Sequence, residues 1–353
     1  MNKNKYYISF VVATRNDNHG GNMKSKNQLF IDNWINKTKK YNISSELILI
    51  EWNPLKKKLK DVLKIPKLHK NQSIRIITVP NIVHKTFKNS NKLSFYQMIA
   101  KNVGIRRSKG EFVLTTNIDI IFSEKIMHFF ATKKLKHGFV YRVDRHDIDL
   151  KNLKIGYKSD KFYNKYIKLV NKKNYSLNIR LKKKHYTNYT FSSLLNKILN
   201  KRIDIKSKEK FTKLLKNFFS YLFKTLFNKK LHTNACGDFI LLDSRSFKKL
   251  GGFDEFEGYS WHLDTLFMWK AYHLGIKFKN LKYKIFHLYQ NIGSGYNPGS
   301  KKLFYNLRKK NIDYIDDNLL RQKIINPNYN DIKKDWGLKR LHLNETKLSQ
   351  NVF

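Results

Sequence analysis

The sequence predicts an α/β fold in which a mostly parallel β-sheet carries helices on both faces. Segments of strand length alternate with segments of helical periodicity over residues 1–150. The strand-like segments are continuously apolar, as in parallel strands that are buried on both faces. Polar residues stand near the ends of several of these segments. In such sheets, ligands bind beyond the carboxyl ends of the strands.

The first half of the chain supplies the elements of this sheet. Helices are predicted at 26–40 and 94–110, with a short helix after the fourth strand, and strands at 7–14, 46–52, 74–80, 111–122 and 138–148. Within the strand 111–122, Asn117 and Asp119 are two residues apart and are expected on the same face. A buried carboxylate costs several kcal/mol unless it is paired. We therefore expect Asp119 to face a site rather than the core.

The second half of the chain changes in composition. Residues 151–232 are rich in Lys, Asn and Tyr and are predicted to form a helical, Lys-rich insertion. Within it, residues 208–230 place Phe and Leu on one helical face and Lys on the opposite one. Such a helix either lies on an anionic membrane or packs on the domain. Residues 233–295 become globular again, and residues 296–353 are predicted to form a C-terminal extension of loops and short helices.

The overall charge of the chain limits its partners. The 353 residues carry a net charge of +46, from 72 Lys+Arg against 26 Asp+Glu. Lys and Asn occur throughout, as compositional drift would produce, but the charge favours anionic partners whatever its origin. Because the Lys residues are dispersed and no nucleic-acid-binding module is present, no nucleic-acid partner is expected.

The cysteine content and the apolar segments predict a cytoplasmic location. The single cysteine, Cys236, allows no disulfide within the chain and fits a reducing compartment. No apolar run is long enough for a transmembrane helix. The N-terminal segment is typical of a first core strand and not of a signal peptide.

Three polar residues could carry chemistry. Asp119 and His287 both lie late in predicted strands, and a divalent cation, Mn or Mg, could bridge them to a diphosphate and help it leave. Asp264 is predicted near the start of a helix, where the helix dipole favours the anion and the carboxylate could act as a general base. The alternatives are a helix-capping role for Asp264 and a buried, hydrogen-bonded state for His287.

Four motifs, taken in order, resemble a family 2 type glycosyltransferase with the GT-A fold. They are SFVVATRND, ELILIEWN, AKNVGIRRSKGEFVLTTNIDIIF and GDFILLDSRSFKKLGGFDEFEGYSWHLDTLFMWKA. They resemble, in turn, the nucleotide-binding turn, the strand whose final acid reads the base, the helix and Asp-x-Asp strand, and the acceptor segment. The resemblance covers residues 1–150 and 235–290. It implies that 1–150 binds the nucleotide sugar and that 233–295 is the acceptor and catalytic half of the same GT-A domain.

The resemblance also implies roles for single residues. Asp264 would take the proton from an acceptor hydroxyl in an inverting displacement, and Asp119 and His287 would hold the metal. The residues implied to bind the nucleotide sugar are Thr14, Arg15, Glu51, Asn102, Asn117 and Asp119.

The sequence departs from the family pattern at two positions. Asn117 stands where the family more often has the first Asp of its motif. Leu263 stands where the family often has a Glu before the catalytic acid, and either His262 or Glu257 could take the place of that acid.

The sequence therefore predicts a cytoplasmic glycosyltransferase, peripheral on the inner membrane face. It would move a sugar from a nucleotide-sugar donor to a glycan or lipid-linked acceptor in bacterial surface polysaccharide or glycolipid synthesis. The alternatives are a GT-A domain without activity, a nucleotidyltransferase on a similar sheet, and a basic protein that binds membranes or nucleic acids. A nucleotidyltransferase would need a Gly-rich signature loop after the first strand, and the spacing in ATRNDNHGGNMKSK does not match one.

Overall fold

The computed structural model describes residues 5–17, 23–149, 156–170, 231–288, 301–329 and 335–348. The predicted amphipathic helix at 208–230 lies outside these residues, as does most of the predicted insertion. Among the described residues, no helix combines the length and the apolar character needed to cross a membrane.

The strands of the described residues form a single sheet. They are β1 (Tyr6–Thr14), β2 (Ser45–Trp52), β3 (Gln72–Val79), β4 (Gly110–Thr116), β5 (Ile120–Phe122), β6 (Phe139–Ile148), β7 (Ile167–Val170), β8 (Phe239–Asp243), β9 (Lys277–Leu288) and β10 (Asn344–Leu348). Their order across the sheet is β10-β3-β2-β1-β4-β8-β6-β9-β5, and β7 pairs with β6.

Six of these ten strands point in one direction. β3, β2, β1 and β4 are parallel neighbours. β8 runs against β4, and β6 runs against β8, so β6 and its parallel neighbour β9 point the same way as β4. The carboxyl ends of these six strands therefore lie along one edge of the sheet, which we call the carboxyl edge.

Helices cover both faces of the sheet, as predicted. They are α1 (Met23–Lys40), α2 (Leu59–Val62), α3 (Asn81–His84), α4 (Gln97–Arg106), α5 (Glu124–Ala131), α6 (Asp160–Lys165), α7 (Ser244–Lys249), α8 (Leu263–His273), α9 (Lys301–Lys309) and α10 (Asp317–Ile325).

Successive residues of each central strand pack into two different hydrophobic cores, one on each face of the sheet. Val11 and Ile48 pack with α4, α7 and α8, whereas Phe10 and Leu49 pack with α1 and α5 on the other face. Because successive side chains of a strand point to opposite faces, a strand that is covered on both faces must be apolar throughout. This burial explains the continuous apolar segments, and the predicted α/β architecture is confirmed.

The prediction of one strand over 111–122 is wrong. The ladder of β4 with β1 and β8 ends at Thr116, and β5 instead pairs with β9. Residues 117–119 form the turn between them, in which the N–H of Ile120 donates to the carbonyl of Asn117. Asn117 and Asp119 therefore do not share a strand face, because the chain changes partner between them.

The C-terminal extension contains a strand that the sequence did not predict. β10 pairs antiparallel with β3 at the sheet edge. Arg75 of β3 holds both Glu46 of β2 and Glu345 of β10, at 2.7 Å and 2.8 Å. In addition, the guanidinium of Arg107 donates to the carbonyls of Gly337, Leu338 and Leu341. These contacts attach the extension to the sheet.

Candidate functional site

A cluster of polar side chains lies at the carboxyl edge of the sheet. The turn after β4 carries Asn117 and Asp119, and the last residues of β6 and β9 include Asp147 and His287. Asp238 joins them because it immediately precedes β8, which runs in the opposite direction. The sheet thus brings Asp119 and His287 together, which is the condition for the predicted cation site.

The pairing of β5 with β9 sets the contact between these two residues. Ile120 lies opposite His287 in the ladder, so Asp119 lies beside the imidazole. His287 Nε2 is 3.2 Å from Asp119 Oδ2, and His287 Nδ1 is 2.7 Å from Asp147 Oδ1. One ring nitrogen therefore faces Asp119 while the other is held by a second carboxylate.

The two partners shift each other's pKa values. Burial alone would lower the pKa of His287, but the charge of Asp119 and the hydrogen bonds to Asp119 and Asp147 raise it to about 9. Burial alone would raise the pKa of Asp119, but His287, Lys26 and Arg145 lower it to about 2. Asp119 is therefore ionised at neutral pH, and the imidazole carries a proton when no cation is bound.

The donor atoms of this pair fit one side of a divalent cation site. Two ligands bound side by side at about 2.1 Å from one cation lie about 3 Å apart, close to the separation found here. A metal-binding histidine usually donates its second ring N–H to a carboxylate, as His287 does to Asp147. Among the described residues, no group of three His, Cys, Asp or Glu side chains could hold a metal ion. The remaining ligands would therefore have to come from other groups, such as the phosphates of a bound substrate and water.

The side-chain oxygen of Asn117 contacts hydrogen-bond donors, and its side-chain nitrogen contacts an acceptor. Gln97 Nε2 and Lys101 Nζ donate to Asn117 Oδ1, at 2.9 Å and 2.8 Å. Asn117 Nδ2 donates to Asp238 Oδ1 at 2.6 Å. An aspartate at this position would place a second carboxylate against Asp238. The departure from the Asp-x-Asp pattern thus has a structural reason in this chain.

Arg145 joins the two halves of the cluster. Its Nη1 lies 2.8 Å from Asp238 Oδ2, and its Nε lies 2.9 Å from Asp147 Oδ1. Asp238 contacts Asn117, and Asp147 contacts His287. The Arg145 guanidinium therefore links the two carboxylates that hold Asn117 and His287 in place. Such an arrangement limits movement of the turn relative to the imidazole.

Lys101 connects the turn to the segment before β8. Its side chain is completely buried, and Nζ also donates to the carbonyl of Gly237 at 3.0 Å. Burial lowers the pKa of Lys101 to about 8, although Asp238, Asp264 and Asp119 act in the opposite direction.

Asp264 is the acidic residue in the first turn of α8, as predicted. Its Oδ2 accepts the backbone N–H of Gly237 at 2.9 Å, and its Oδ1 accepts that of Thr265 at 2.8 Å. A side chain at Gly237 would have its Cβ 2.8 Å from Asp264 Oδ2, so the close approach requires glycine. Through Gly237 and Lys101, Asp264 lies in the same polar network as Asn117.

The two substitutes proposed for the missing second acid have other partners. His262 Nε2 lies 2.8 Å from Asp317 Oδ1. Glu257 Oε2 accepts the backbone N–H of Lys88 at 2.6 Å. The structure therefore pairs each of them with a residue other than Asp264.

The remaining predicted binding residues are more deeply placed. Thr14 Oγ1 donates to Asn27, and buried Glu51 accepts the N–H of Leu59 at 2.6 Å. Burial raises the pKa of Glu51. Asn102 is fully buried, where it bonds both backbone groups of Phe253 and the carboxylate of Glu255. The nucleotide-binding roles of these residues stay a prediction.

Arg15 lies beside a cleft at the carboxyl ends of β2 and β3. Its Nη1 donates to the carbonyl of Ser94 at 3.5 Å, and Asn53 Nδ2 donates to the same carbonyl. The cleft has a volume of about 570 Å³ and is lined by Asn53, Asn81, His84, Lys85, Ser90, Asn91, Lys92, Leu93 and Ser94. Its lining mixes polar and apolar surface and includes the cationic Lys85 and Lys92, which suits an anionic ligand that also has an apolar face.

Sequence reasoning missed Lys101, Arg145, Asp147 and Asp238. Arg145 and Asp147 lie near the end of a strand that was predicted, so the carboxyl-end rule could have found them. Lys101 stands among apolar residues in the helix QMIAKNVGIR, a pattern that signals a buried charge. Asp238 precedes a strand, and its position follows only from the antiparallel direction of β8.

Two solved structures are among those similar to the chain. The crystal structure of S. aureus TarS 1–349 gives a TM-score of 0.42 at 13% identity, over 90% of this chain and 69% of that one. The catalytic domain of Drosophila β1,4-galactosyltransferase 7, in complex with xylobiose, gives 0.36 at 10% identity, over 92% and 81%. No protein-family model matches the chain, and no curated protein matches it in sequence. At such low scores, the function has to be argued from this chain's own side chains.

Proposed function

We propose that this chain is a glycosyltransferase that moves a sugar from a nucleotide-sugar donor to an acceptor hydroxyl. One observation carries the proposal: a single polar network joins the Asn117–Asp119 turn and His287 to Asp264. The Asp119–His287 pair, which we propose binds a cation, and a carboxylate at a helix start are thereby held at one edge of the sheet. These are the groups that departure of a diphosphate and deprotonation of a hydroxyl require.

The donor would lie along the carboxyl edge. The cleft beside Arg15 would hold the nucleoside. Gln97, three residues beyond the cleft residue Ser94, donates to Asn117 and so connects the cleft with the turn. Asp119 and His287 would hold a divalent cation, Mn or Mg, which offsets the charge of the diphosphate as it leaves. The chain's own residues fix this pair, because Asp147 orients the imidazole.

Asp264 would act on the acceptor. Its two oxygens are oriented by the N–H groups of Gly237 and Thr265, and Cys236 also hydrogen-bonds to it, which leaves one of the four carboxylate lone pairs for the acceptor. The acceptor oxygen forms a bond to the anomeric carbon as the bond from that carbon to the phosphate oxygen breaks. The proton of the hydroxyl goes to Asp264, and the nucleoside diphosphate leaves. This single displacement inverts the anomeric centre.

The acceptor and the location belong to the same proposal. The acceptor is a hydroxyl of a glycan or a lipid-linked glycan in bacterial surface polysaccharide or glycolipid synthesis. The enzyme works in the cytoplasm, where its buried thiol at Cys236 would remain reduced.

The test is the release of nucleoside diphosphate from a panel of nucleotide sugars. Transfer to water occurs slowly in the absence of an acceptor, so the assay needs no knowledge of the acceptor. We expect release from sugars of one nucleotide only, and we expect Asp264→Asn to slow it by about 10²–10⁴-fold. A protein that binds one nucleotide but releases no diphosphate from any of its sugars would be a domain without activity.

A further inference from the structure

Two of the most exposed large apolar side chains lie on neighbouring loops near the carboxyl edge. Ile82 is 75% exposed and Leu55 is 42% exposed. Their loops are joined by a hydrogen bond of 2.8 Å from Asn81 Nδ2 to Asn53 Oδ1, and each apolar residue is at most two positions from this bond. Leu55 and Ile82 therefore lie on loops that contact each other, and we call these two residues the apolar tip.

Lysines surround the apolar tip. Lys56, Lys57 and Lys58 follow Leu55 directly, and Lys85 follows Ile82 by three residues; all four are exposed. Over residues 54–61 there are four Lys and one acidic residue, Asp61, so the positive charge of this segment is largely uncompensated within it. An apolar projection within a cationic surface is complementary to an anionic lipid surface, which offers head-group phosphates around an apolar interior.

The position of the apolar tip suits a surface that must reach the candidate site. Leu55 follows the carboxyl end of β2, and Ile82 follows that of β3. Both strands are parallel to β4, whose carboxyl end carries the Asn117–Asp119 turn. Leu55 and Ile82 therefore lie at the same edge of the sheet as that turn.

We propose that Leu55 and Ile82, together with Lys56, Lys57 and Lys58, dock this chain on the surface of an anionic bilayer. The aliphatic side chains enter the head-group region while the ammonium groups bind lipid phosphates. Single-stranded nucleic acid is a poorer match, because its recognition relies on aromatic side chains that stack on bases, and the tip is aliphatic. This docking surface is separate from residues 208–230 and does not depend on the proposed enzymatic activity.

The experiment measures partitioning of the full chain onto vesicles by co-sedimentation. Vesicles of phosphatidylcholine alone are compared with vesicles that also contain phosphatidylglycerol, at low and high salt. We expect binding only to the anionic vesicles, and weaker binding at high salt. The double variant Leu55→Ser/Ile82→Ser is expected to bind about tenfold more weakly, since burial of aliphatic groups is lost. The triple variant Lys56→Gln/Lys57→Gln/Lys58→Gln is expected to lose at least as much.

Matched controls come from the opposite edge of the sheet. Tyr157 is 38% exposed. Burial and the charge of Glu124 raise its pKa while the charge of Lys40 lowers it, so Tyr157 lies near both residues. Lys40 is the last residue of α1, which leads into the amino end of β2. Exposed Lys133, Lys134 and Lys136 precede the amino end of β6. Tyr157→Ser and the triple Lys→Gln variant at these three positions should therefore keep most of the binding.

One outcome of this experiment supports the proposal, and the others overturn it. Selective loss in the Leu55/Ile82 and Lys56–Lys58 variants supports the proposal, with thermal unfolding unchanged because all substituted side chains are exposed. The proposal is wrong if these variants bind anionic vesicles as wild type does, or if the opposite-edge variants lose as much. It is also wrong if wild type prefers single-stranded RNA to anionic vesicles at equal salt. Nucleotide binding is measured separately, so its absence leaves this test intact.

Discussion

Asn117 Nδ2 lies 2.6 Å from Asp238 Oδ1, and this contact explains the amide at a position where the resembled family more often has a carboxylate. Asp238 already accepts from Arg145 with its other oxygen. The Asp238 oxygen that faces residue 117 needs a hydrogen-bond donor, which an amide supplies and an ionised carboxylate cannot. The oxygen of the same amide faces Lys101 and Gln97, so all three of its polar contacts are matched.

The first prediction is that Asn117→Asp destabilises the protein by about 1–3 kcal/mol at neutral pH. The new carboxylate would lie against Asp238, and the repulsion raises the pKa shared by the pair in the folded state. A raised folded-state pKa gives stability that is present at low pH and lost as the pH rises. The deficit relative to wild type should therefore shrink as the pH falls towards about 4. Urea unfolding across this range measures it.

Asn117→Ala is the control for this prediction. It removes the hydrogen bonds without adding charge, so its deficit should stay nearly constant over the same pH range. A pH-independent deficit in Asn117→Asp would show that the two carboxylates do not interact.

The second prediction concerns Lys101, whose pKa is lowered by burial to about 8 from its ordinary value of 10.5. Between these two pH values the unfolded chain holds the proton and the folded chain does not, so stability rises with pH. Wild type should gain up to about 3 kcal/mol relative to Lys101→Met between pH 8 and pH 10.5. Urea unfolding of both proteins at the two ends of this window measures the gain. A constant difference would place the ammonium in water rather than in the core.

The third prediction concerns Asp147, which contacts the ring nitrogen of His287 that faces away from Asp119. Asp147→Asn should weaken Mn²⁺ binding about 10–100-fold in the presence of nucleotide, since partners behind a metal ligand set its orientation and basicity. Nucleotide binding without metal should change little. Thermal-shift titration with Mn²⁺ measures both.

Asp144→Asn is the matched control on the same strand. Asp144 pairs with Arg142 and His232 rather than with His287. If this variant loses as much Mn²⁺ affinity as Asp147→Asn, the effect belongs to the strand and not to the imidazole.

The fourth prediction concerns Asp264. Asp264→Asn should slow release of nucleoside diphosphate by about 10²–10⁴-fold, because the amide cannot accept the proton of the attacking hydroxyl or water. Binding of the nucleotide should remain, since the proposed role of Asp264 is to act on the acceptor. Asp317→Asn, which alters the partner of His262, should retain the rate. Equal losses in both variants would assign Asp264 a capping role instead.

The sequence predicted the parts of the fold that local pattern determines. The strands around Val11 and Ile48 were found because burial on both faces demands continuous apolar residues. The turn at 117–119 was not found, because hydrophobicity continues across it while the pairing partner changes from β1 and β8 to β9. β10 was missed for a related reason: NETKL has no apolar alternation, and its position depends on Arg75 of β3 far away in sequence.

The candidate site shows the same division. Asp119 and His287 do lie together at the carboxyl edge, although Asp119 belongs to the turn after β4 and not to the strand predicted over 111–122. Asp238 was missed because it lies before its strand, and only the reversed direction of β8 brings it to the carboxyl edge. The partners of Asn117 could not be predicted, since they come from a helix and a loop more than 100 residues apart.

The donor site is the central claim, and a thermal-shift titration tests it most directly. UDP, GDP, TDP and CMP are each titrated with and without Mn²⁺ against wild type, Asp119→Ala and the exposed control Asp313→Ala. A ligand that binds only the folded state stabilises it by about 2.7 kcal/mol at 100 times its Kd. We predict a shift with one diphosphate that Mn²⁺ enhances, that Asp119→Ala loses and that Asp313→Ala keeps. A Mn²⁺-enhanced shift that survives in Asp119→Ala, or no shift with any nucleotide, would contradict the account.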